Sequence, residues 1–98
     1  MKAVVKAKRK KGMELINVPT PQVGPRDVLI KVTLASICGT DVHIYDWTHW
    51  ARHRFTPPRI IGHEFVGIVE KIGNEVTHVK AGDRVSAESH ISCGHCYQ

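Results

Sequence analysis

Polar and apolar positions alternate most cleanly from Val28 onward, where Val28, Ile30, Val32 and Leu34 fall on one side and Lys31 and Thr33 on the other. A period of two marks a strand whose two sets of side chains face opposite ways. Ala3 to Lys8 reads as an earlier strand and Met13 to Val18 as its return, with Lys10-Lys11-Gly12 as the turn. Pro19, Pro21 and Pro25 with Gly24 then forbid helix from Val18 to Arg26. The character changes between Gly39 and Ala51. Thr40-Asp41 can cap a short helix there, with Val42, Ile44, Tyr45, Trp47 and Trp50 as its apolar contacts, and Pro57-Pro58 ends it. A further strand runs from near Glu64 to Ile72. Turns follow at Gly73-Asn74 and Ala81-Gly82-Asp83, then a short strand from Arg84 to Glu88. Short strands broken by Gly and Pro predict a mainly β protein, a partly open β-barrel with short helices.

Length and charge narrow the function classes. Ninety-eight residues make one domain and not a two-domain enzyme. No apolar run approaches a membrane span, and Met1 to Lys6 lacks the core of a secretory signal, so the expected setting is cytoplasmic with no membrane partner. Fourteen Lys and Arg against nine Asp and Glu leave a charge of +5. Lys6, Lys8, Arg9, Lys10 and Lys11 supply a cluster that reads as a solvated hairpin tip in preference to an anion site. No aromatic residues interleave with these lysines to stack on bases, so no nucleic-acid partner is expected. Three cysteines argue against a disulfide scaffold and leave metal binding or catalysis as their use.

Two groupings carry candidate chemistry. Cys38 offers a thiolate and His63 an imidazole, both suited to zinc. Each adjoins a strand-like run, which would bring them to one rim of the fold. Glu64 is either a further ligand or an acceptor that tunes the site. Gly62 and Gly67 suit backbone that must approach the metal or a neighbouring strand closely. A lone Cys or His can equally be a packed core residue. The second grouping, Cys93-Gly94-His95-Cys96, reads as half of a four-thiolate structural zinc site, with His95 a loop residue. A redox C-x-x-C would need a thioredoxin-like βαβ context, which the sequence lacks.

The run Gly62-His63-Glu64-Phe65-Val66-Gly67, then Gly73 and Val76, taken with Cys38 and Cys93-x-x-Cys96, resembles the signature of the zinc-dependent medium-chain alcohol dehydrogenases. The resemblance covers the whole chain. It implies that residues 1–98 are the N-terminal part of a GroES-like zinc-binding catalytic domain, which in that family precedes a Rossmann domain binding NAD. It makes Cys38 and His63 ligands of a catalytic zinc with Glu64 close by, and Cys93 and Cys96 half of a structural zinc site. In Cys38-Gly39-Thr40-Asp41-Val42-His43, it casts the Thr40 hydroxyl and the His43 imidazole as a proton relay; otherwise Thr40 is a helix cap and His43 a surface residue. Ile37 to Trp47 with Trp50, and Ala87 to Gly94, resemble the L-threonine 3-dehydrogenases within the family. Their reaction converts the L-threonine hydroxyl to the ketone of 2-amino-3-oxobutanoate with NAD. His90 is then a candidate contact for the amino-acid substrate, or else a loop residue. Trp47 and Trp50 either wall a pocket or pack a helix. No G-x-G-x-x-G is present, so the expectation is a truncated domain, inactive alone, and the resemblance implies an enzyme that is homo-oligomeric at full length. The alternatives are another zinc-dependent polyol or alcohol dehydrogenase, a non-catalytic GroES-like binding module, and a basic zinc ribbon for nucleic acid. The last lacks a second C-x-x-C and a recognition helix.

Overall fold

The computed structural model describes residues 1–90; Cys93, His95 and Cys96 lie outside the described residues. In chain order the elements are β1 Lys2–Lys6, β2 Glu14–Asn17, β3 Val28–Ala35, α1 Gly39–Asp46, α2 His49–Arg54, β4 Arg59–Ile60, β5 Phe65–Ile72 and β6 Arg84–Ser86. They form two three-stranded sheets, ordered β2-β1-β4 and β3-β5-β6, with every pairing antiparallel. The architecture is mainly β with two short helices, as the pattern predicts. No strand pairing joins the two sheets among the described residues, so the barrel stays open.

The core is small. Ala3 and Val5 of β1 and Val69 of β5 are buried, as are Ile44, Trp47 and Ala51 from the helical segment. The apolar side of β3 is only partly covered: Val32 is 53% exposed and Leu34 69%. Two register shifts interrupt the ladder between β3 and β5. At one of them Thr33 has no partner across the ladder, and its hydroxyl donates to the carbonyl of Val66 at 3.1 Å. A bulge of this kind bends the strand and ends strict alternation.

One predicted helix becomes two. Trp47 turns left-handed (φ 57°), its N–H reaches back to Ile44 O, and Thr48 then starts α2 by accepting from Ala51 N. Strand β4 escapes the sequence reading because two residues carry no periodicity.

The basic cluster also divides. Lys8 and Lys11 are exposed and pair with Glu14 and Asp46, as a solvated tip should. Lys6 does not belong with them, because it is completely buried. Its neighbour Val5 is buried on the opposite side of the strand, so β1 is covered on both faces there. The Lys6 ammonium donates to the carbonyls of Lys10, Gly12 and Tyr45 at 2.6, 3.0 and 3.1 Å. Burial pulls its pKa below the ordinary lysine value, and the charge of Asp46 opposes that pull.

Gly67 of β5 pairs with Val32 of β3. A Cβ there would stand 2.4 Å from the carbonyl oxygen of Lys31, which is backbone and cannot swing away. Gly67→Ala is therefore expected to destabilise the chain by about 1–3 kcal/mol through overpacking. Urea denaturation of the two proteins measures the difference.

Candidate metal centre

Cys38 and His63 converge because of the strand register. Ala35 at the end of β3 pairs with Phe65 at the start of β5, and Ser36 N donates to Glu64 O at 3.1 Å. Cys38 follows that pair by three residues and His63 precedes it by two. Although the two residues are 25 positions apart, Cys38 Sγ stands 3.1 Å from His63 Nε2. Gly62 delivers His63 to this place with a φ of +116°, which side chains rarely permit. A Cβ on Gly62 would meet open space, so the glycine is needed for its backbone angle and not for the close approach expected of it. At Gly67 the expected close approach is present.

The third member is Asp41. The sequence reading makes it only a partner of Thr40 in capping the helix, and it does serve as a cap: Asp41 Oδ2 accepts from the N–H of Cys38 at 3.0 Å. An acidic residue three positions into a helix commonly reaches back in this way. Its other oxygen is what matters here. Asp41 is 8% exposed, and among the described residues its buried Oδ1 has no hydrogen-bond partner. The nearest cationic candidate, His63 Nδ1, is 3.7 Å away, beyond hydrogen-bonding range. A buried carboxylate oxygen left unpaired is costly, and a divalent cation would compensate it.

Ligand atoms of Cys38, Asp41 and His63 lie within 4.8 Å of one another. Sulfur, nitrogen and carboxylate donors around an open side fit zinc. Glu64 is not part of the group. Its Oε2 accepts from Ser36 Oγ at 2.6 Å, on the exposed rim beside the centre. Thr40 and His43 lie one turn apart on α1, and the His43 ring packs at a tilt 5.9 Å from Trp50. His90 is exposed and bound to Glu88, whose carboxyl it holds below its ordinary pKa, chiefly through the side-chain hydrogen bond. Trp47 is buried and Trp50 meets Phe55 at a tilt, so both pack the helical segment.

Beside Asp41 opens a cleft of about 500 Å³ walled by Val4, Met13, Ile37, Val42, Tyr45 and Ile61. Among the described residues its lining includes no lysine, arginine or histidine. Val4, Ile37, Val42 and Tyr45 are each at least 44% exposed, so these apolar walls stand open to solvent beside Asp41.

Residues 24–98 match the alcohol dehydrogenase GroES-like domain. The chain belongs to this family. Among curated relatives of this GroES-like chain, the L-threonine 3-dehydrogenase of Caldanaerobacter subterraneus subsp. tengcongensis is 57% identical over 96 residues, and that of Chelativorans sp. is 56% identical over 96. Each alignment takes in 98% of the chain but 28% of the relative, so the chain spans little more than a quarter of their length. Solved structures agree. Zinc-dependent alcohol dehydrogenase 2 from Streptococcus pneumonia superposes with a TM-score of 0.84 at 33% identity, covering 99% of this chain and 27% of that one. An alcohol dehydrogenase from Thermus sp. ATN1 gives 0.80 at 36% identity, with 99% and 27% covered. No helix among the described residues is long and apolar enough to cross a membrane.

Proposed function

We propose that this GroES-like chain carries the metal-holding part of a cytoplasmic, homo-oligomeric dehydrogenase that oxidises the hydroxyl of L-threonine to 2-amino-3-oxobutanoate with NAD. The observation that carries the reading is the convergence of Cys38, Asp41 and His63 around an unpaired buried carboxylate oxygen. The identity of the chain to threonine dehydrogenases supports the choice of substrate.

When bound, zinc supplies Lewis acidity that makes a nearby hydroxyl easier to deprotonate. Cys38 Sγ and His63 Nε2 are the proposed ligands, and the Asp41 carboxylate, 3.7 Å from Nδ1, faces the imidazole and offsets the cation's charge. Glu64, bonded to Ser36, stands ready at the rim. Thr40 Oγ1 is the proposed first acceptor of the substrate proton, and the exposed His43 imidazole hands it on to water. His90 is the proposed partner for the polar end of the amino acid. No lysine, arginine or histidine among the described residues lines the cleft, so recognition of the substrate carboxylate is assigned to residues outside it. Cys93 and Cys96 are the proposed half of a separate structural zinc site. With no G-x-G-x-x-G in the sequence, these residues alone are proposed to bind metal without producing NADH.

Cobalt in place of zinc tests the reading optically. In a Cys93→Ser/Cys96→Ser chain, Cys38 is the one remaining thiol. The expected outcome is a thiolate-to-cobalt band whose accompanying visible bands shift with L-threonine and not with sorbitol or 2,3-butanediol. A shift with the diols alone would replace threonine dehydrogenase by a polyol dehydrogenase. No thiolate band at all would leave a GroES-like binding module.

A further inference from the structure

Lys6 has no part in the chemistry proposed above, yet it touches both arms of the centre. Its backbone belongs to β1, where Lys6 pairs with Arg59 and Val5 with Ile60, and Ile61 N donates to Val4 O at 3.0 Å. The chain that emerges from this pairing passes through Gly62 directly to His63. The side chain of Lys6 points to the other arm. Its ammonium holds the carbonyl of Tyr45, in the last turn of the helix whose first turn carries Asp41 and whose cap is Cys38.

The remaining two donors of the ammonium grip the carbonyls of Lys10 and Gly12, and the Trp47 ring centroid lies 4.9 Å from Nζ. Three acceptors for three protons satisfy the group completely, so the buried charge is held in one position. The same tip donates from Gly12 N to Tyr45 O at 2.8 Å. At the opposite end, the Ala35–Phe65 pairing joins the two arms again. Cys38 and His63 are thus held from two sides, by the β3–β5 register and by Lys6.

We propose that Lys6 is a positioning residue of the metal centre, fixing α1 against the β1–β4 ladder so that Cys38 and Asp41 stay in register with His63. This rests on the metal reading given above. Helix α1 is only eight residues long. A rotation released at its C-terminal end therefore reaches the ligands at its start.

The test is cobalt titration of Lys6→Met in the Cys93→Ser/Cys96→Ser background, beside a control variant, Val69→Ala. Methionine keeps an unbranched apolar stem and removes all three donors. Val69 is buried in β5 and pairs with Ile30, and its truncation to alanine removes core packing while leaving the backbone pairing of β3 with β5 in place. The expected result is a loss of about tenfold or more in cobalt affinity for Lys6→Met, as when a group supporting a metal ligand is removed. Its thiolate-to-cobalt band also shifts, whereas Val69→Ala lowers the denaturation midpoint and keeps parental affinity. Lys6→Gln, which retains an amide donor, falls between the two. Parental affinity in Lys6→Met overturns the assignment and leaves the metal reading intact. A parent chain with no Cys38-dependent band overturns both. Failure of both Lys6 variants to fold overturns it as well, because Lys6 would then determine folding and not the geometry of the centre.

Discussion

Cys38→Ser, made in a chain already lacking the thiols of Cys93 and Cys96, is expected to bind zinc or cobalt at least about a hundredfold more weakly than its parent. Structural zinc binding by four protein ligands releases about 10–16 kcal/mol, so one strong donor accounts for several kcal/mol and hence two or more decades of affinity. Serine has nearly the shape of cysteine but stays a neutral hydroxyl at neutral pH, and it cannot replace a thiolate for a borderline-soft cation. The fold should survive, because Cys38 is half-buried, its backbone N–H still holds the Asp41 carboxylate, and a serine hydroxyl can accept from Asp41 N–H as the sulfur does. Equilibrium dialysis against buffered zinc gives the affinity, and circular dichroism verifies the fold. Unchanged affinity would show that metal bound to this chain does not use the thiol next to His63.

The second large effect separates the two roles of Asp41. Asp41→Asn preserves an oxygen that can still accept from Cys38 N–H, so α1 keeps its start. It removes the negative charge facing His63. Stability of the metal-free chain should hold or rise, because Oδ1 is buried without a partner and an unpaired buried charge is a cost. Metal affinity should fall about 10–100-fold, the usual penalty for removing a carboxylate that supports a ligating histidine. Asp41→Ala adds the loss of the cap and exposes the difference: an unsatisfied Cys38 N–H costs about 1–3 kcal/mol more. Thermal melts with and without zinc distinguish the variants. Equal zinc affinity in Asp41→Asn and the parent would reduce Asp41 to a helix cap.

Strands β1, β3 and β5 were legible because their alternation spans several residues, and the break near Gly73 because its neighbours are turn formers. Strand β4 and the split at Trp47 were not. Each depends on contacts with distant chain: β4 exists through its pairing with β1, and the turn at Trp47 is packed against Lys6. The reading of Lys6 as part of a solvated tip failed for the same reason. Composition places it among exposed lysines, and only the return of Tyr45 to the hairpin buries it.

At the centre, the motif and the affinity of thiolate and imidazole for zinc single out Cys38 and His63. Asp41 and Glu64 exchange importance in the folded chain: the first enters the donor group, and the second bonds to Ser36. Carboxylates are alike in a sequence. Which one faces a histidine depends on helix phase and strand register, and both are set by tertiary contacts.

The amino-acid order alone thus determined the class of fold, the family likeness and the two soft donors, because periodicity and side-chain chemistry are local properties. Tertiary structure decided which carboxylate joins those donors, which lysine is buried and how far the sheets close. Those outcomes depend on distances between residues far apart along the chain, which no local pattern encodes.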